Sequence, residues 1–258
     1  VLARVLAAAR PDAVFHLAGV SSVGAAASDP VLACETNVTA TVALLDAVRR
    51  RRDEGAGDPV VLVVGSSEQY GAHPATEQPL HEEAEQRPLT LYAATKAAQE
   101  LFARQAARRD GLRVVCTRSF NHTGAGQGER FLLPALVRRA LALPAAGGEL
   151  RLGNLTPVRD VSHVSDVVRA YILLAERGLP GEAYNVCSGA GHSVRELAGA
   201  VLRRVGVAAA LVEDPALVRP VDVPALVGSA AKLRAATGWE PCRTLDDCID
   251  DLIHAATR

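Results

Sequence analysis

Four short apolar runs, separated by longer stretches with helical periodicity, constrain the fold of this chain more than any other feature. The runs are AVFHLAG (13–19), VVLVVG (60–65), LRVVCTR (112–118) and AYNVC (183–187). Runs of this kind are typical of strands buried on both faces of a parallel sheet. The intervening stretches 31–52, 92–109 and 165–177 are predicted to be helices. The alternation therefore predicts an α/β fold with a doubly wound parallel sheet.

The second half of the chain is organised differently. From about residue 119, loops with Pro and Gly replace the alternation, with one predicted helix at about 131–143. Ser193 and Glu196 form a capping box that opens a further helix, which Gly206 ends. We therefore predict a first lobe of residues 1–118 plus about 158–187, and a smaller, mainly helical lobe of about 119–157 plus 188–258.

Composition limits the possible partners. The net charge of −1 gives no general electrostatic basis for binding nucleic acid or an anionic membrane. Apolar residues make up 49% and charged residues 22% of the chain, which fits a globular enzyme rather than a disordered protein. The five cysteines form no C-x-x-C pair, and no run of 18 apolar residues or cleavable signal is evident. We expect a cytoplasmic protein with reduced thiols, no membrane span and no metal site.

Tyr92 and Lys96 form a Tyr-x-x-x-Lys pair on the second predicted helix. With two lysines and four tyrosines in the chain, chance would produce such a pair about 0.03 times. Residues four apart share a helix face, so the phenol and the ammonium point into the same cleft. A nearby cation favours the phenolate, and we therefore predict that the pKa of Tyr92 is lowered and that its phenol acts as a general acid or base. The alternative is a surface helix with an unrelated Tyr and Lys.

Ligands in such a sheet bind at the carboxyl ends of the strands. Ala18-Gly19, Gly65-Ser66 and Ser119-Phe120-Asn121 all lie at predicted strand ends. We expect Ser66 or Ser67 to donate a hydrogen bond to the carbinol or carbonyl oxygen with which Tyr92 exchanges a proton.

Several other polar residues have two interpretations each. Glu68, in the Ser66 turn, is either a second acid or base that also suits a sugar hydroxyl, or an exposed turn carboxylate. His16 is interpreted as a hydrogen-bonded core histidine. Arg159, with its neighbour Asp160, and the pair of Arg219 and Asp222 are candidate clamps for a nucleotide diphosphate, or ordinary surface residues in an arginine-rich chain.

Motifs along essentially the whole chain resemble the extended short-chain dehydrogenase/reductase family of nucleotide-sugar enzymes. The segments that carry the resemblance are FHLAG, VVGSSEQYG, YAATK, RSFNHTGAGQG, PVRDVSHVSDVVRAY, YNVCSG, RPVDVP and TGWEP. The resemblance implies a Rossmann-type sheet, NADP or NAD as cofactor, and a nucleotide-sugar substrate. FNHTGAGQ and RPVDVPALVGSAAKLRAATGW are most similar to the branch that reduces GDP-linked 4-keto-6-deoxy sugars at C4 to GDP-rhamnose.

The resemblance also implies roles for individual residues. Tyr92 would protonate the C4 oxygen, Ser66 would orient it, and Lys96 would hold the nicotinamide ribose, with Glu68 as an additional catalytic candidate. The positions matching cofactor-binding residues, besides Tyr92 and Lys96, are Leu17, Ala18, Gly19, Val20, Asn37, Phe120 and His122. The positions matching substrate-binding residues are Ser67, Asn121, Arg159, Arg219 and Asp222. The resemblance further implies a homodimer formed through the helices after Val31 and after Tyr92.

The chain departs from the family pattern at its start, where the first strand, the G-x-x-G-x-x-G turn and the second strand are not found. We expect that an upstream segment of about 50 residues, one βαβ unit and its extension, belongs in front of Val1. The residues that would select NAD or NADP are therefore not visible. The alternatives are a GDP-mannose 4,6-dehydratase, a 4-epimerase, and a non-catalytic protein that binds a sugar nucleotide.

Overall fold

The computed structural model describes residues 1–218 and 223–257 as an alternation of helices and strands. The helices are α1 (Leu2–Ala9), α2 (Val23–Ser28), α3 (Pro30–Cys34), α4 (Ala40–Asp53), α5 (Leu91–Asp110), α6 (Leu132–Leu141), α7 (Val164–Arg177), α8 (Val194–Val205), α9 (Ala231–Thr237) and α10 (Leu245–Ala256). The strands are β1 (Ala13–His16), β2 (Val60–Ser66), β3 (Val114–Ser119), β4 (Asn121–Thr123), β5 (Gly148–Leu152), β6 (Val158–His163), β7 (Ala183–Val186), β8 (Gly191–Ser193), β9 (Ala209–Glu213) and β10 (Ala225–Leu226).

The main sheet consists of the four apolar runs identified in the sequence. Its strand order is β1-β2-β3-β7, and every neighbouring pair is parallel. Strands β3 and β7 are buried along their whole length, and β2 is buried at all positions but one. Continuous apolar sequence is required where helices cover both faces of a parallel sheet. The predicted α/β fold class is confirmed.

Helices connect these strands at the predicted places. The stretch 31–52 forms α3 and α4 joined by a π-helical turn, Glu35–Thr39, and 165–177 forms α7. Helix α5 begins where Thr90 Oγ1 accepts a hydrogen bond from the backbone N–H of Ala93, and it ends at Gly111 in the left-handed region. The predicted capping box of Ser193 is present and starts α8.

Smaller sheets lie beside the main sheet. Strands β4, β6 and β10 form one sheet, in which β8 pairs antiparallel with β6, and β5 pairs with β9. Strand β6 thus hydrogen-bonds outside the main sheet, although the lobe boundaries predicted from sequence group residues 158–163 with it. Helix α7, which follows directly, contacts β2 and β3 of the main sheet. The chain therefore passes from the second sheet to the first at His163, and the division into two lobes stays a prediction.

Within the described residues, one helical segment, Pro30–Asp53, is long and apolar enough to cross a membrane by length and composition. Its inner side chains Leu44, Leu45 and Val48 pack in a hydrophobic cluster with Val61 and Val63 of the main sheet. Core helices of globular proteins pass the same test. The segment by itself is therefore weak evidence for a membrane span.

Candidate active site

Ser66 occupies the last position of β2, where the strand turns into the short 3₁₀ helix Ser67–Tyr70. Its Oγ accepts a hydrogen bond from the backbone N–H of Glu68 at 3.2 Å, and its own N–H donates to Gln69 Oε1 at 2.8 Å. Gly65 permits this turn, because a Cβ there would lie 2.3 Å from the carbonyl oxygen of Thr117. The Ser66 hydroxyl is thereby fixed at the carboxyl end of the central strands.

Tyr92 lies in the first turn of α5 and is hydrogen-bonded to Ser66. Burial raises the pKa of Tyr92 above its ordinary value; the hydrogen bond with Ser66 opposes this effect, and the charge of Glu68 adds to it. The prediction that the pKa of Tyr92 is lowered is therefore wrong for this structure. The physical reason is that desolvation dominates and that the Lys96 ammonium is bound to other acceptors. At neutral pH, Tyr92 is a protonated phenol.

Lys96 follows one helical turn later and is only 5% exposed. Its ammonium donates to the carbonyl oxygen of Val64 at 2.7 Å and to Gln99 Oε1 at 2.8 Å. Burial lowers the pKa of Lys96 to about 8. The lysine is thus held against the end of β2, on the same helix face as Tyr92, as the four-residue spacing predicted.

The loop after β1 approaches Lys96 because of Asn37. This fully buried residue of the π-helical turn accepts a hydrogen bond from the N–H of Val20 at 2.8 Å and donates to the carbonyl oxygen of Val20 and to Thr95 Oγ1. A Cβ at Gly19 would lie 2.9 Å from Asn37 Oδ1 and 3.6 Å from Lys96 Nζ. The missing side chain leaves a cradle of backbone beside the ammonium, and this arrangement fits the ribose of a nicotinamide cofactor.

The remaining predicted cofactor positions differ in what their side chains face. Leu17 and Ala18 are exposed in the loop after β1. Phe120 is 2% exposed and packs in the core, with its ring 6.2 Å from that of Tyr70. The side chain of Phe120 is therefore part of the core and is not exposed to a ligand. His122 is half-buried, and its Nδ1 donates to the carbonyl oxygen of Phe120 at 2.9 Å.

The predicted substrate positions are described only in part. Asn121 is exposed at the start of β4, whereas Ser67 is buried directly after Ser66. Arg159 Nη1 donates to the carbonyl oxygens of Val158 and Val223 at 2.9 and 2.8 Å, which ties β6 to the segment before β10. Arg219 and Asp222 lie outside the described residues. Glu68 is half-buried next to Ser66, and its charge acts on Tyr92.

Two polar networks behind the site were not predicted. In one, Gln69 links the Ser66 turn to an ion pair between Glu100 and Arg118. In the other, Gln99 links Lys96 to Thr41. The sequence signal for the second is the spacing, because Gln99 lies three residues after Lys96 on the same helix face. The expected core histidine His16 belongs to this network, with Nε2 2.8 Å from Thr41 Oγ1.

Comparisons with known proteins agree with this geometry. The family model described as GDP-mannose 4,6 dehydratase matches residues 1–252. The chain belongs to this family. It is also 35% identical over 233 residues to the GDP-6-deoxy-D-mannose reductase of Pseudomonas aeruginosa, covering 90% of this chain and 75% of that enzyme. The predicted membership in the extended short-chain dehydrogenase/reductase family is confirmed.

Solved structures of the family have the same fold. The structure of RMD from Pseudomonas aeruginosa complexed with NADPH superposes with a TM-score of 0.86 at 33% identity, covering 95% of this chain and 81% of that one. The UDP-glucose 4-epimerase of Thermus thermophilus in complex with NAD has a TM-score of 0.85 at 29% identity, covering 99% and 81%. Both cofactor types are thus represented among structures similar to this chain.

Proposed function

We propose that this chain is the reductase that converts GDP-4-dehydro-6-deoxy-D-mannose to GDP-rhamnose with NADPH. The similarity to the Pseudomonas reductase, and to a structure solved with NADPH, supports the substrate and the cofactor. The arrangement of Ser66, Tyr92 and Lys96 supports chemistry at a carbinol or carbonyl carbon. NAD is the alternative cofactor, as in the Thermus epimerase complex.

A bound nicotinamide cofactor would supply the hydride for C4. The residues that would hold it are Lys96, whose ammonium lies beside Gly19, and Asn37, which fixes the loop through Val20. Lys96 contributes a donor to the ribose hydroxyls, and the glycine lets the backbone approach closely. The role of Lys96 as a donor depends on its side chain remaining in its present position beside Gly19.

The similarity to the Pseudomonas reductase over 233 residues is the observation that carries the proposal, and the protonation state of Tyr92 is compatible with it. Reduction of a ketone to an alcohol requires an acid that gives a proton to the C4 oxygen. Burial keeps Tyr92 in the phenol form, which is the acid. Ser66, hydrogen-bonded to Tyr92 at the end of β2, orients the C4 oxygen and stabilises the phenolate that remains after the transfer. A dehydratase or an epimerase would instead begin by removing a proton from the C4 hydroxyl, for which Tyr92 must first be the phenolate.

Glu68 favours the dehydratase as the second candidate. Its carboxylate acts electrostatically on Tyr92, from the turn that Ser66 caps, so a second acid or base lies next to the first. In GDP-mannose 4,6-dehydration, such a group would serve the elimination of water, in which C5, next to the C4 keto group, loses a proton and C6 loses its hydroxyl group. An epimerase and a non-catalytic sugar-nucleotide-binding protein remain weaker candidates.

One assay separates these functions. The full-length protein is mixed with NADPH and GDP-4-dehydro-6-deoxy-D-mannose, and absorbance at the nicotinamide band is followed. Oxidation that depends on the keto sugar, and that disappears in Tyr92→Phe, supports the reductase. Conversion of GDP-mannose without net use of cofactor would support the dehydratase. Binding of the sugar nucleotide without turnover of either compound would support the non-catalytic protein.

We further propose a cytoplasmic homodimer of two-lobed subunits, with no nucleic acid or membrane partner. The exposed apolar side chains of Val42 on α4 and of Leu101 and Phe102 on α5 support an interface through these two helices. Within each proposed subunit, the carboxyl ends of the main-sheet strands would lie between a cofactor lobe and a substrate lobe. Light scattering after size-exclusion chromatography tests the dimer, and Leu101→Glu should produce monomers.

A further inference from the structure

A chain of buried polar side chains lies behind Lys96. Its ammonium donates to Gln99 Oε1 at 2.8 Å, and Gln99 Nε2 donates to Thr41 Oγ1 at 2.8 Å. The same hydroxyl is 2.8 Å from His16 Nε2 and donates to the carbonyl oxygen of Asn37 at 2.7 Å. Three elements, α4 with its π-helical turn, α5 and β1, thus meet at a single hydroxyl group.

The hydrogen-bonding capacity of Thr41 fixes the direction of the amide of Gln99. A hydroxyl has one hydrogen and two lone pairs. Thr41 gives its hydrogen to the carbonyl oxygen of Asn37, so it must accept from both His16 Nε2–H and Gln99 Nε2–H. The NH₂ group of Gln99 therefore faces Thr41, and its carbonyl oxygen faces Lys96. A reversed amide would place NH₂ against an ammonium and a carbonyl oxygen against two lone pairs.

We propose that Gln99 is a positioning residue that keeps Lys96 charged and directed at the loop containing Gly19. The carbonyl oxygens of Gln99 and Val64 bind two of the three ammonium hydrogens. Gly19 lies beside the same ammonium, because a Cβ there would be 3.6 Å from Nζ. For the proposed reductase, which this inference presupposes only in its activity readout, Gln99 sets the pH range in which Lys96 binds the ribose.

Neither of the two groups that accept hydrogen bonds from the Lys96 ammonium is an anion, so its charged form depends on uncharged acceptors such as Gln99. Both acceptors of the ammonium are uncharged carbonyl oxygens. His16, from β1, is neutral, because burial first and the charge of Lys96 second lower its pKa. From α5, Tyr92 is a neutral phenol, and Glu100 is paired with Arg118. From the turn after β2, Glu68 acts on Tyr92. Burial is the cause of the lowered pKa of Lys96. Hydrogen bonds to the charged form of a group favour that form, so the two acceptors of the ammonium are expected to oppose the effect of burial.

The lysine content of the chain allows a direct test. Lys96 and Lys232 are its only lysines, so selective ¹³C labelling at Cε gives two NMR signals. Lys232 lies on α9, paired with Glu182 at 2.7 Å, and serves as the internal reference for an intact fold. The Lys96 signal is titrated between pH 6 and 11 in the parent chain, in Gln99→Leu and in Gln99→Glu. Both substitutions remove the amide donor to Thr41, and they differ in what they offer to the ammonium: leucine offers no acceptor, and glutamate offers an anion at the same side-chain length.

Opposite shifts are expected. Gln99→Leu removes an acceptor of the charged form and should move the Lys96 midpoint down by about one pH unit, whereas Gln99→Glu adds an anion and should move it up by at least as much. Thr41→Val, which frees the amide to turn, should also move it down. A Lys96 midpoint that stays in place in both Gln99 variants, with the Lys232 signal unchanged, would overturn the proposal.

Activity provides a second and separable readout. The midpoint of the alkaline limb of kcat/KM should follow the NMR midpoint in each variant, up in Gln99→Glu and down in Gln99→Leu. If the chain does not reduce the keto sugar, the proposed function fails, and the NMR titration still decides the role of Gln99. A fall in activity of equal size at every pH in both variants, without a shift of the midpoint, would indicate a merely structural role and would contradict the inference.

Discussion

Arg118 and Glu100 form a buried ion pair beneath the Ser66 turn. Arg118 Nη2 and Nε donate to the two oxygens of Glu100 at 2.7 and 2.9 Å, and each side chain is 3% exposed. Gln69 connects the pair to the site, since its Nε2 donates to Glu100 Oε2 and its Oε1 accepts from the N–H of Ser66. The hydroxyl of Tyr70 accepts a further hydrogen bond from Arg118. The Ser66 turn is therefore held in place, through Gln69, by the buried ion pair of Glu100 and Arg118.

Removing one partner of this pair should destabilise the protein strongly. Arg118→Met leaves the buried Glu100 carboxylate with the longer cationic contact to Arg104 Nη1, at 3.5 Å, and the loss of a close buried partner costs about 3 to 5 kcal/mol of unfolding free energy. Urea unfolding followed by circular dichroism measures the change. The double variant Arg118→Met/Glu100→Leu is the control, because it removes both charges and should recover part of the loss. A single variant within about 1 kcal/mol of the parent would contradict the prediction.

Tyr92→Phe should lower kcat by about 10² to 10⁴ while leaving the affinity for the sugar nucleotide nearly unchanged. The substitution removes only the phenolic hydroxyl, which in the proposed reaction gives its proton to the C4 oxygen and is not expected to contribute to binding the nucleotide. Steady-state kinetics and calorimetric titration measure the two quantities. Tyr184→Phe is the matched control, because that hydroxyl accepts a hydrogen bond from the N–H of Leu179, away from Ser66. Near-normal turnover of Tyr92→Phe would exclude the acid role.

Ser66→Ala should reduce kcat by about 10² to 10³, since it removes a hydrogen bond to the reacting oxygen and to Tyr92. It also deletes the N-cap of the 3₁₀ helix, which we expect to cost about 1 kcal/mol of stability. Ser66→Thr keeps the hydroxyl and should retain most of the activity. Equal activities of Ser66→Ala and Ser66→Thr would contradict the assigned role.

Gly19→Ala should weaken NADPH binding by about tenfold or more, a difference of about 1.4 kcal/mol. The new Cβ would lie 2.9 Å from Asn37 Oδ1, and Asn37 is fully buried, so the loop must move away from Lys96. Fluorescence titration with NADPH measures the dissociation constant. Gly24→Ala in α2 is the matched control, because nothing lies within 4 Å of its added Cβ. Equal affinities of the two variants would show that the loop does not form the cofactor cradle.

The strands, the main helices and the Ser66, Tyr92 and Lys96 set were predictable because they depend on local patterns. An apolar run, a capping residue and a spacing of four residues each determine structure within a few positions. Arg118 illustrates the limit of such patterns. It ends an apolar run, and nothing nearby in the sequence indicates that Glu100, 18 residues earlier, receives it in the core.

The pKa of Tyr92 could not be predicted for a related reason. The spacing of Tyr92 and Lys96 is local, but the partners of the ammonium are not. Val64 O lies 32 residues before Lys96 and takes one of its hydrogens. Thr41, 58 residues before Gln99, fixes the orientation of the Gln99 amide, whose carbonyl oxygen accepts another hydrogen of the ammonium. Electrostatic effects depend on distances and burial that only the folded chain defines.

Lys96 should make the stability of the protein depend on pH. Its pKa is about 8 in the folded chain, against an ordinary 10.5, so between these values the unfolded chain holds a proton that the folded chain lacks. The contribution of this group to the unfolding free energy therefore rises with pH across this window, and below pH 8 the full penalty, about 3 kcal/mol, is present. Lys96→Met has no such penalty. The unfolding free energy of Lys96→Met minus that of the parent should therefore be about 3 kcal/mol larger at pH 7 than at pH 10.5.

Urea unfolding at both pH values measures this double difference. Comparing the two chains at each pH cancels the tyrosines, because Tyr70 and Tyr171, whose pKa values burial raises to about 12, titrate alike in both. It also cancels the contacts with Val64 and Gln99 that the methionine loses at every pH. Lys232→Met, measured in parallel, controls for the loss of a lysine elsewhere. A gap between Lys96→Met and the parent that is the same at pH 7 and pH 10.5 would show that burial does not disfavour the ammonium, and that Lys96 remains fully charged across the working range of the site.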